Sequence, residues 1–182
     1  MNYTTQKLIQ AIENGERLKY LCFWGHQPSK DGSIIKTCFS QWWKASFKVD
    51  DVEYKTAEHW MMAEKARLFG DDEILQRILD AQSPAEAKKL GRKVKDFNVE
   101  VWKEKCFEIV VQGNIHKFSQ NPDLKEFLLN TNSRVIVEAS PVDNIWGIGL
   151  APDHQNAENP LKWEGSNLLG FALMEVRDYF NK

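Results

Sequence analysis

An acid and a base share one face of a predicted helix. Glu58 and Lys65 stand seven residues apart, in a segment that starts with Thr56 as an N-cap residue. Residues with this spacing lie on the same side of an α-helix, and Met61 and Met62 fill the face between them. In a cleft, these two groups would supply a carboxylate and a proton donor. Alternatively, Glu58 only serves the helix dipole and Lys65 is a solvated cation.

A second carboxylate precedes a glycine-rich segment. Asp143 opens the run Asp143-Asn144-Ile145-Trp146-Gly147-Ile148-Gly149, directly after a predicted strand. Loops at the ends of strands often carry functional residues, and here an indole follows the carboxylate by three positions. The Asp-Asn pair is equally suited to an Asx turn, which closes a strand without any ligand. The motif leaves both interpretations open.

Cations are concentrated around Gly91. Five of them fall within eight residues: Lys88, Lys89, Arg92, Lys93 and Lys95. Such a cluster is usually a solvated face. At a helix end it can also bind one phosphate group through charge-assisted hydrogen bonds.

The remaining reactive side chains do not suggest a metal or a disulfide framework. The three cysteines, Cys22, Cys38 and Cys106, show no Cys-x-x-Cys spacing. None of the four histidines has a second histidine four residues on. We therefore expect no metal and no cofactor. The seven tryptophans are unusual for this length, and each could pack the core or wall a pocket for a flat ring.

Composition limits the class of protein. The chain has 182 residues with 42% hydrophobic and 27% charged residues, as expected for one compact domain. Its net charge of −2 disfavours a permanent nucleic-acid binder. The sequence has no apolar run near the ~20 residues of a membrane-spanning helix and no signal-peptide pattern, so we expect a cytoplasmic protein without a membrane partner.

The elements that must position these groups follow from periodicity and caps. Helices are predicted over residues 5–19 with a stop at Gly15, and over 56–70, 71–80, 83–90, 98–118, 122–129 and 168–180. Strands are predicted over 20–24 and 134–139, with two or three short strands in 34–54 and a turn at Asp50-Asp51. The long segment 143–167 lacks periodicity but is apolar enough to be ordered, which is typical of a functional loop.

Several of these motifs, in this order, resemble the NADAR family, also called YbiA-like. The resemblance covers about residues 20–180 and rests on Thr56-Ala57-Glu58-His59-Trp60 with Ala63 and Lys65, Gly91-Arg92, Trp102, Asp143 to Leu150, and Gly165-Ser166-Asn167-Leu168-Leu169-Gly170 up to Arg177. It implies a single α+β domain, mainly helical with a small β-sheet. Residues 20–182 would form this domain, and residues 1–19 an accessory helix.

The resemblance also implies an activity. Members of the family are N-glycosidases, acting either on phosphoribosylamino-pyrimidine intermediates of riboflavin biosynthesis or on ADP-ribose attached to guanine. The implied catalytic residues are Glu58, Lys65 and Asp143. The expected substrate-binding residues are Trp102, Trp146, Gly147, Arg92, Trp24 and Trp42, whereas Trp43, Trp60 and Trp163 are assigned to core or loop packing. Expected partners are a small ribosyl phosphate or ADP-ribose, with transient contact to ADP-ribosylated nucleic acid left open.

Two positions depart from the family pattern. The chain has Ser40-Gln41-Trp42 where many relatives have Ser-Asn-Phe, and Asn144 where the ADP-ribose branch often has arginine. The alternative to an enzyme is a binding module that recognises ADP-ribose or NAD without catalysis. Such a module needs stacking and phosphate contacts but no acid, so Glu58, Lys65 and Asp143 together favour an enzyme.

Overall fold

Seven α-helices, four short strands and two 3-10 helices make up the chain. The computed structural model describes all residues from 1 to 182. In chain order the elements are α1 (Thr5–Glu13), β1 (Tyr20–Phe23), a 3-10 helix (Lys36–Phe39), β2 (Phe47–Val49), β3 (Val52–Tyr54), α2 (Ala57–Leu68), α3 (Asp72–Asp80), α4 (Pro84–Gly91), α5 (Val99–Gln120), α6 (Pro122–Leu129), β4 (Val135–Glu138), a 3-10 helix (Pro160–Lys162) and α7 (Leu168–Phe180). These elements form two units, residues 41–122 and residues 1–40 with 123–182.

In the 41–122 unit, α2 is the central helix and packs against α3, α4 and α5. Most of its residues are buried, and these include the polar residues Glu58 and His59. Gly113 on α5 allows the close approach of Trp60, because a Cβ at position 113 would lie 2.3 Å from Trp60 Cδ1. Beside α2, strands β2 and β3 pair antiparallel through a turn at Asp50 and Asp51, both with positive φ as a type I′ turn requires.

In the unit of residues 1–40 and 123–182, β1 and β4 pair in parallel, with Tyr20 opposite Val135 and Phe23 opposite Glu138. Helix α7 packs on β4. Its N-cap residue Asn167 hydrogen-bonds the strand on both sides, since Nδ2 donates to Ile136 O (3.0 Å) and Oδ1 accepts from Glu138 N (2.9 Å). The amide thereby fixes where α7 begins.

The structure confirms the mainly helical α+β class. Helix α1 ends at Glu13, just before the predicted glycine stop, and Gly15 adopts a positive φ of 87°. In the 34–54 segment, where two or three short strands were predicted, two strands form (β2 and β3) and residues Lys36–Phe39 form a 3-10 helix. Cys38 and Phe39 are neighbours and both fully buried, which the alternating side chains of a surface strand do not allow. The strands form two separate pairs.

None of the helices combines the length and the apolarity needed to cross a bilayer.

Candidate functional site

The N-terminus of α2 is held in place by a polar tether. Thr56 Oγ1 accepts a hydrogen bond from His59 N (3.4 Å), as its predicted N-cap role requires. The His59 ring bridges Thr56 Oγ1 (2.8 Å from Nδ1) and Ala81 O (3.2 Å from Nε2). A carbonyl can only accept, so Nε2 carries the hydrogen and Nδ1 accepts from the Thr56 hydroxyl. Burial lowers the pKa of His59, which keeps this neutral arrangement.

Glu58 lies on the first turn of α2, and its side chain is only 5% exposed. Its N–H donates to Gln41 O at 2.9 Å. The Gln41 side chain is fixed in turn, because its Oε1 accepts from Nδ2 of the buried Asn114 on α5 at 2.8 Å. A carboxylate is costly to bury, so its placement at a helix N-terminus is favourable in charge as well as geometry.

Lys65 lies at the other end of the same face, about 10 Å along the helix axis from Glu58. Its Nζ is 4.0 Å from the centroid of the Phe97 ring and 5.5 Å from that of the Trp102 ring. Burial lowers the pKa of Lys65, and no charged group contributes to that change. A half-buried amine between aromatic rings does not fit the alternative of a merely solvated cation.

The predicted phosphate cluster is divided in the structure. Lys95 forms an exposed ion pair with Glu73 at 2.9 Å. Lys88 lies in the last turn of α4, where a cation suits the helix dipole, and its Nζ is 5.9 Å from the half-buried Trp42 ring. Arg92 follows as the C-cap residue, exposed and without an ion pair. Lys89 and Lys93 are likewise exposed and without an ion pair, so Arg92 and these two lysines are accessible to an anion.

The Asp143 segment forms the Asx turn that was one of its two interpretations. Asp143 Oδ1 accepts hydrogen bonds from Ile145 N (2.9 Å) and Trp146 N (2.8 Å). The second oxygen, Oδ2, has no hydrogen-bond partner, and the side chain is half-buried. The turn thus consumes one carboxylate oxygen and leaves the other for a ligand.

Close backbone packing explains the glycine that follows Trp146. A Cβ on Gly147 would lie 2.8 Å from the carbonyl oxygens of both Asp143 and Glu138. Trp146 itself is half-buried, and its carbonyl accepts from Leu169 N at 3.1 Å. Gly147 therefore has a structural role in the loop, whatever its relation to substrate.

The predicted site residues fall in both units. Glu58, Lys65, Arg92, Trp102 and Trp42 belong to residues 41–122, where the structure brings Lys65 and Trp102 together. Trp24, Asp143, Trp146 and Gly147 belong to the other unit. Trp24 follows β1 and is 50% exposed.

Two tryptophans assigned to packing have that role. Trp60 is buried, and its Nε1 donates to Ile109 O at 2.8 Å. Trp163 Nε1 donates to Ala157 O at 2.9 Å, and its ring meets Tyr20 edge to face.

Sequence reasoning missed Phe97, whose ring is closer to Lys65 Nζ than any other aromatic ring. A sequence pattern could have found it. Phe97 and Trp102 flank the N-cap residue Asn98 at positions N′ and N4, the two positions of a hydrophobic staple. Residues at these positions lie on the same side of a helix start, so both rings were candidates once Trp102 was singled out.

Comparisons with known proteins support the family resemblance. The NADAR domain matches residues 22–181. The chain is 44% identical over 165 residues to the protein named N-glycosidase R617 of Acanthamoeba polyphaga mimivirus, covering 88% of this chain and 95% of that protein. It is 35% identical over 137 residues to the chloroplastic riboflavin biosynthesis protein PYRR of Zea mays, covering 70% of this chain and 20% of that protein. The NMR structure of the E. coli protein YbiA matches with a TM-score of 0.69 and 25% identity, covering 91% of this chain and 88% of that one. The chain belongs to the NADAR family.

Proposed function

We propose that this protein is an N-glycosidase that hydrolyses the ribosyl C–N bond of a phosphoribosylamino-pyrimidine. The names of its relatives, N-glycosidase R617 and riboflavin biosynthesis protein PYRR, support this reaction and this substrate class. The observation that carries the proposal is the face of α2, which presents a buried carboxylate and a half-buried amine seven residues apart. We also propose that the protein acts in the cytoplasm.

The reaction adds water across the C–N bond, with hydroxyl going to the anomeric carbon and a proton to the departing nitrogen. Positive charge develops on the sugar as the bond breaks, so a nearby carboxylate stabilises the transition state. Glu58 and Asp143 are the two candidates for this role. Asp143 Oδ2 accepts no hydrogen bond from the protein, and is therefore able to orient the attacking water.

Lys65 can assist in either of two ways. As an ammonium, it donates the proton that the leaving nitrogen needs. As a neutral amine, it attacks C1 of the ring-opened ribosylamine and forms an imine; the C1–N bond to the pyrimidine breaks, and the departing amine takes up the proton that the lysine nitrogen loses. Water then hydrolyses the imine to the free sugar and the lysine amine. Because burial lowers the pKa of Lys65, a larger fraction of the amine is neutral than in a solvated lysine, which favours the second way. Trp102, beside Lys65, is one candidate to stack on or border the flat base, and Trp146, beside Asp143, is the other.

The proposed phosphate contact is Arg92, whose guanidinium is exposed and without an ion pair. A guanidinium binds a phosphate through two parallel hydrogen bonds. Asn144 removes the arginine that is often found at this position in the ADP-ribose branch, and this departure favours the smaller ribosyl phosphate over ADP-ribosylated guanine.

The test is Glu58→Gln, assayed side by side on the ribosylamino-pyrimidine phosphate and on an ADP-ribosylated guanine oligonucleotide. We expect the wild-type protein to hydrolyse the first substrate and the variant to lose about 100-fold or more in kcat. The matched control is Glu64→Gln on the same helix, where the glutamate already pairs with Arg67. Unchanged hydrolysis in Glu58→Gln would contradict the role of Glu58.

The two substrates, together with calorimetry, also separate the alternative functions. Turnover of only the oligonucleotide would make ADP-ribosylated guanine the substrate. Binding of ADP-ribose in a calorimeter without turnover of either glycoside would identify a binding module instead of an enzyme.

A further inference from the structure

The short connection between α4 and α5 is fixed at several points. Asp71 caps α3 through Oδ1, which accepts from Ile74 N at 3.1 Å, while its Oδ2 accepts from Lys95 N at 2.9 Å. One residue later, Asp96 adopts a positive φ of 52°. Asn98 then caps α5, since its Oδ1 accepts from two N–H groups of the first turn at 2.9 and 3.1 Å. The backbone on both sides of Phe97 is thereby held.

This connection directs the Phe97 ring over an amine. The ring centroid is 4.0 Å from Lys65 Nζ, well within the range of a cation–π interaction. The ring also meets Phe69 edge to face, with centroids 5.3 Å apart. Phe97 is nevertheless 43% exposed, so core packing does not account for its placement.

Charged groups do not compete with the rings for this amine. Lys65 takes part in no ion pair, and burial is the sole cause of the change in its pKa. Many titratable and charged groups lie on α2, on the elements packed against it and on the α4–α5 connection. In chain order they are Glu53, Tyr54, Glu58, His59, Glu64, Arg67, Asp72, Glu73, Arg77, Asp80, Glu86, Lys88, Lys89, Arg92, Lys93, Lys95, Asp96, Glu100, Lys103, Glu104, Lys105, Cys106, Glu108, His116 and Lys117. None of them contributes to that change.

We propose that Phe97 is a positioning residue that holds Lys65 Nζ between its own ring and that of Trp102, and so sets the place and the protonation of this amine. Its consequence for catalysis rests on the function proposed above for Lys65. We call this arrangement the aromatic clamp, consisting of Phe97, Lys65 and Trp102.

The clamp acts on the amine in two opposite directions. The negative faces of the rings stabilise the ammonium form. Their apolar bodies exclude water, which destabilises the same form. A leucine at position 97 would keep the apolar cover and lose the ring face, whereas an alanine would lose both. Because the net effect of burial on the pKa of Lys65 is a lowering, loss of both effects in alanine should raise it, whereas loss of the ring face alone in leucine should lower it further.

The first experiment follows the titration of Lys65 without substrate, by NMR of protein labelled with ¹³C-lysine, with Lys65→Arg identifying the signal. For Phe97→Leu we expect proton binding about two- to five-fold weaker, so that the midpoint falls by about half a pH unit. For Phe97→Ala we expect the midpoint to rise, because water reaches the amine. Phe97→Tyr keeps the ring and should restore the wild-type midpoint.

The matched control is Val99→Ala, which shortens another exposed apolar side chain next to the clamp. It should leave the midpoint unchanged. If Phe97→Leu left the midpoint unchanged, or moved it upward together with Phe97→Ala, the ring face would have no role and the clamp would be disproved.

The second experiment measures the pH profile of kcat with the ribosylamino-pyrimidine phosphate. In Phe97→Leu the limb that belongs to Lys65 should move to lower pH by the same amount, with KM unchanged. If the limb on the acid side of the profile moves, Lys65 acts as a neutral amine. If the limb on the alkaline side moves, Lys65 acts as an ammonium that donates a proton. A shifted titration with an unshifted rate profile would remove Lys65 from the proposed reaction while leaving the clamp intact, so the two failures are distinguishable.

Discussion

Helix α2 and the Asp143 loop hold their carboxylates by different means. On α2, the backbone of Glu58 is placed by helix packing and by tethers to Gln41 and Ala81. In the loop, Asp143 is held by its own side chain, which accepts two backbone N–H groups. The contacts around Glu58 thus hold its backbone in place, whereas the Asp143 side chain holds the backbone of its own loop.

This difference determines which substitutions are informative. At Glu58, loss of charge can be tested with little change to the backbone, because the N-cap hydrogen bond of α2 comes from Thr56. At Asp143, removal of the side chain also dismantles the turn, so only a substitution that keeps an acceptor oxygen separates chemistry from structure.

The largest expected effect is on activity, in Asp143→Asn. Asparagine keeps the Oδ1 acceptor and removes the charge, so we expect kcat to fall about 100-fold. The free energy of unfolding should change by less than about 0.5 kcal/mol. Asp143→Ala should also lose about 1–2 kcal/mol of stability, because two N–H groups lose their acceptor. Asp153→Asn, exposed in the same long loop, is the control; wild-type kcat in Asp143→Asn would remove this carboxylate from the reaction.

A smaller effect is expected from the packing beneath α2. In Gly113→Ala the new Cβ meets the rigid indole of Trp60, so we expect a loss of about 1–3 kcal/mol in the free energy of unfolding. Gly91→Ala is the matched control. Its Cβ meets the flexible end of Met62, which can move aside, and the helix gains from alanine. Urea denaturation of both variants gives the comparison, and equal losses would show that rigidity of the neighbour does not matter.

The smallest expected effect is on the pH dependence of the free energy of unfolding, and it comes from His59 in the tether at the start of α2. Burial lowers the pKa of His59, so the unfolded state binds its proton more readily. Stability from this group is complete above the unfolded pKa of about 6.5 and falls as the pH decreases toward the folded pKa, by at most about 1.4 kcal/mol per pH unit. In His59→Gln this dependence should disappear. Denaturation at pH 7, 6 and 5 tests it, and an unchanged acid slope would place the proton uptake elsewhere.

N-cap residues and hydrophobic periodicity were sufficient to predict the helices. Thr56, Asp71, Ser83 and Asn98 each accept a hydrogen bond from the helix they were predicted to begin. Such signals lie within a few residues of each other, so tertiary contacts are not needed to recognise them. Lys36–Phe39 was different, because burial of two neighbouring side chains decided its conformation.

In the candidate site, too, the local features were predictable and the long-range contacts were not. Motif residues placed Glu58, Lys65 and Trp102 on α2 and α5, and the roles assigned to them stay predictions. Phe97 was not found, because the contact between Phe97 and Lys65 joins segments 32 residues apart in the sequence. The tether from His59 to Ala81 depends on a similar long-range contact. Local patterns identify what a segment forms, but not which segment it meets.

The parallel pairing of β1 with β4 has a consequence for how the chain acquires its structure. Tyr20 pairs with Val135, and the whole 41–122 unit lies between them in the sequence. During synthesis, β1 leaves the ribosome long before its partner exists, whereas the 41–122 unit is continuous and can form its contacts as soon as it emerges. Contacts between distant segments form late because closing a long loop costs entropy. We therefore expect folding to begin in the 41–122 unit, with β1 unpaired until β4 has been synthesised.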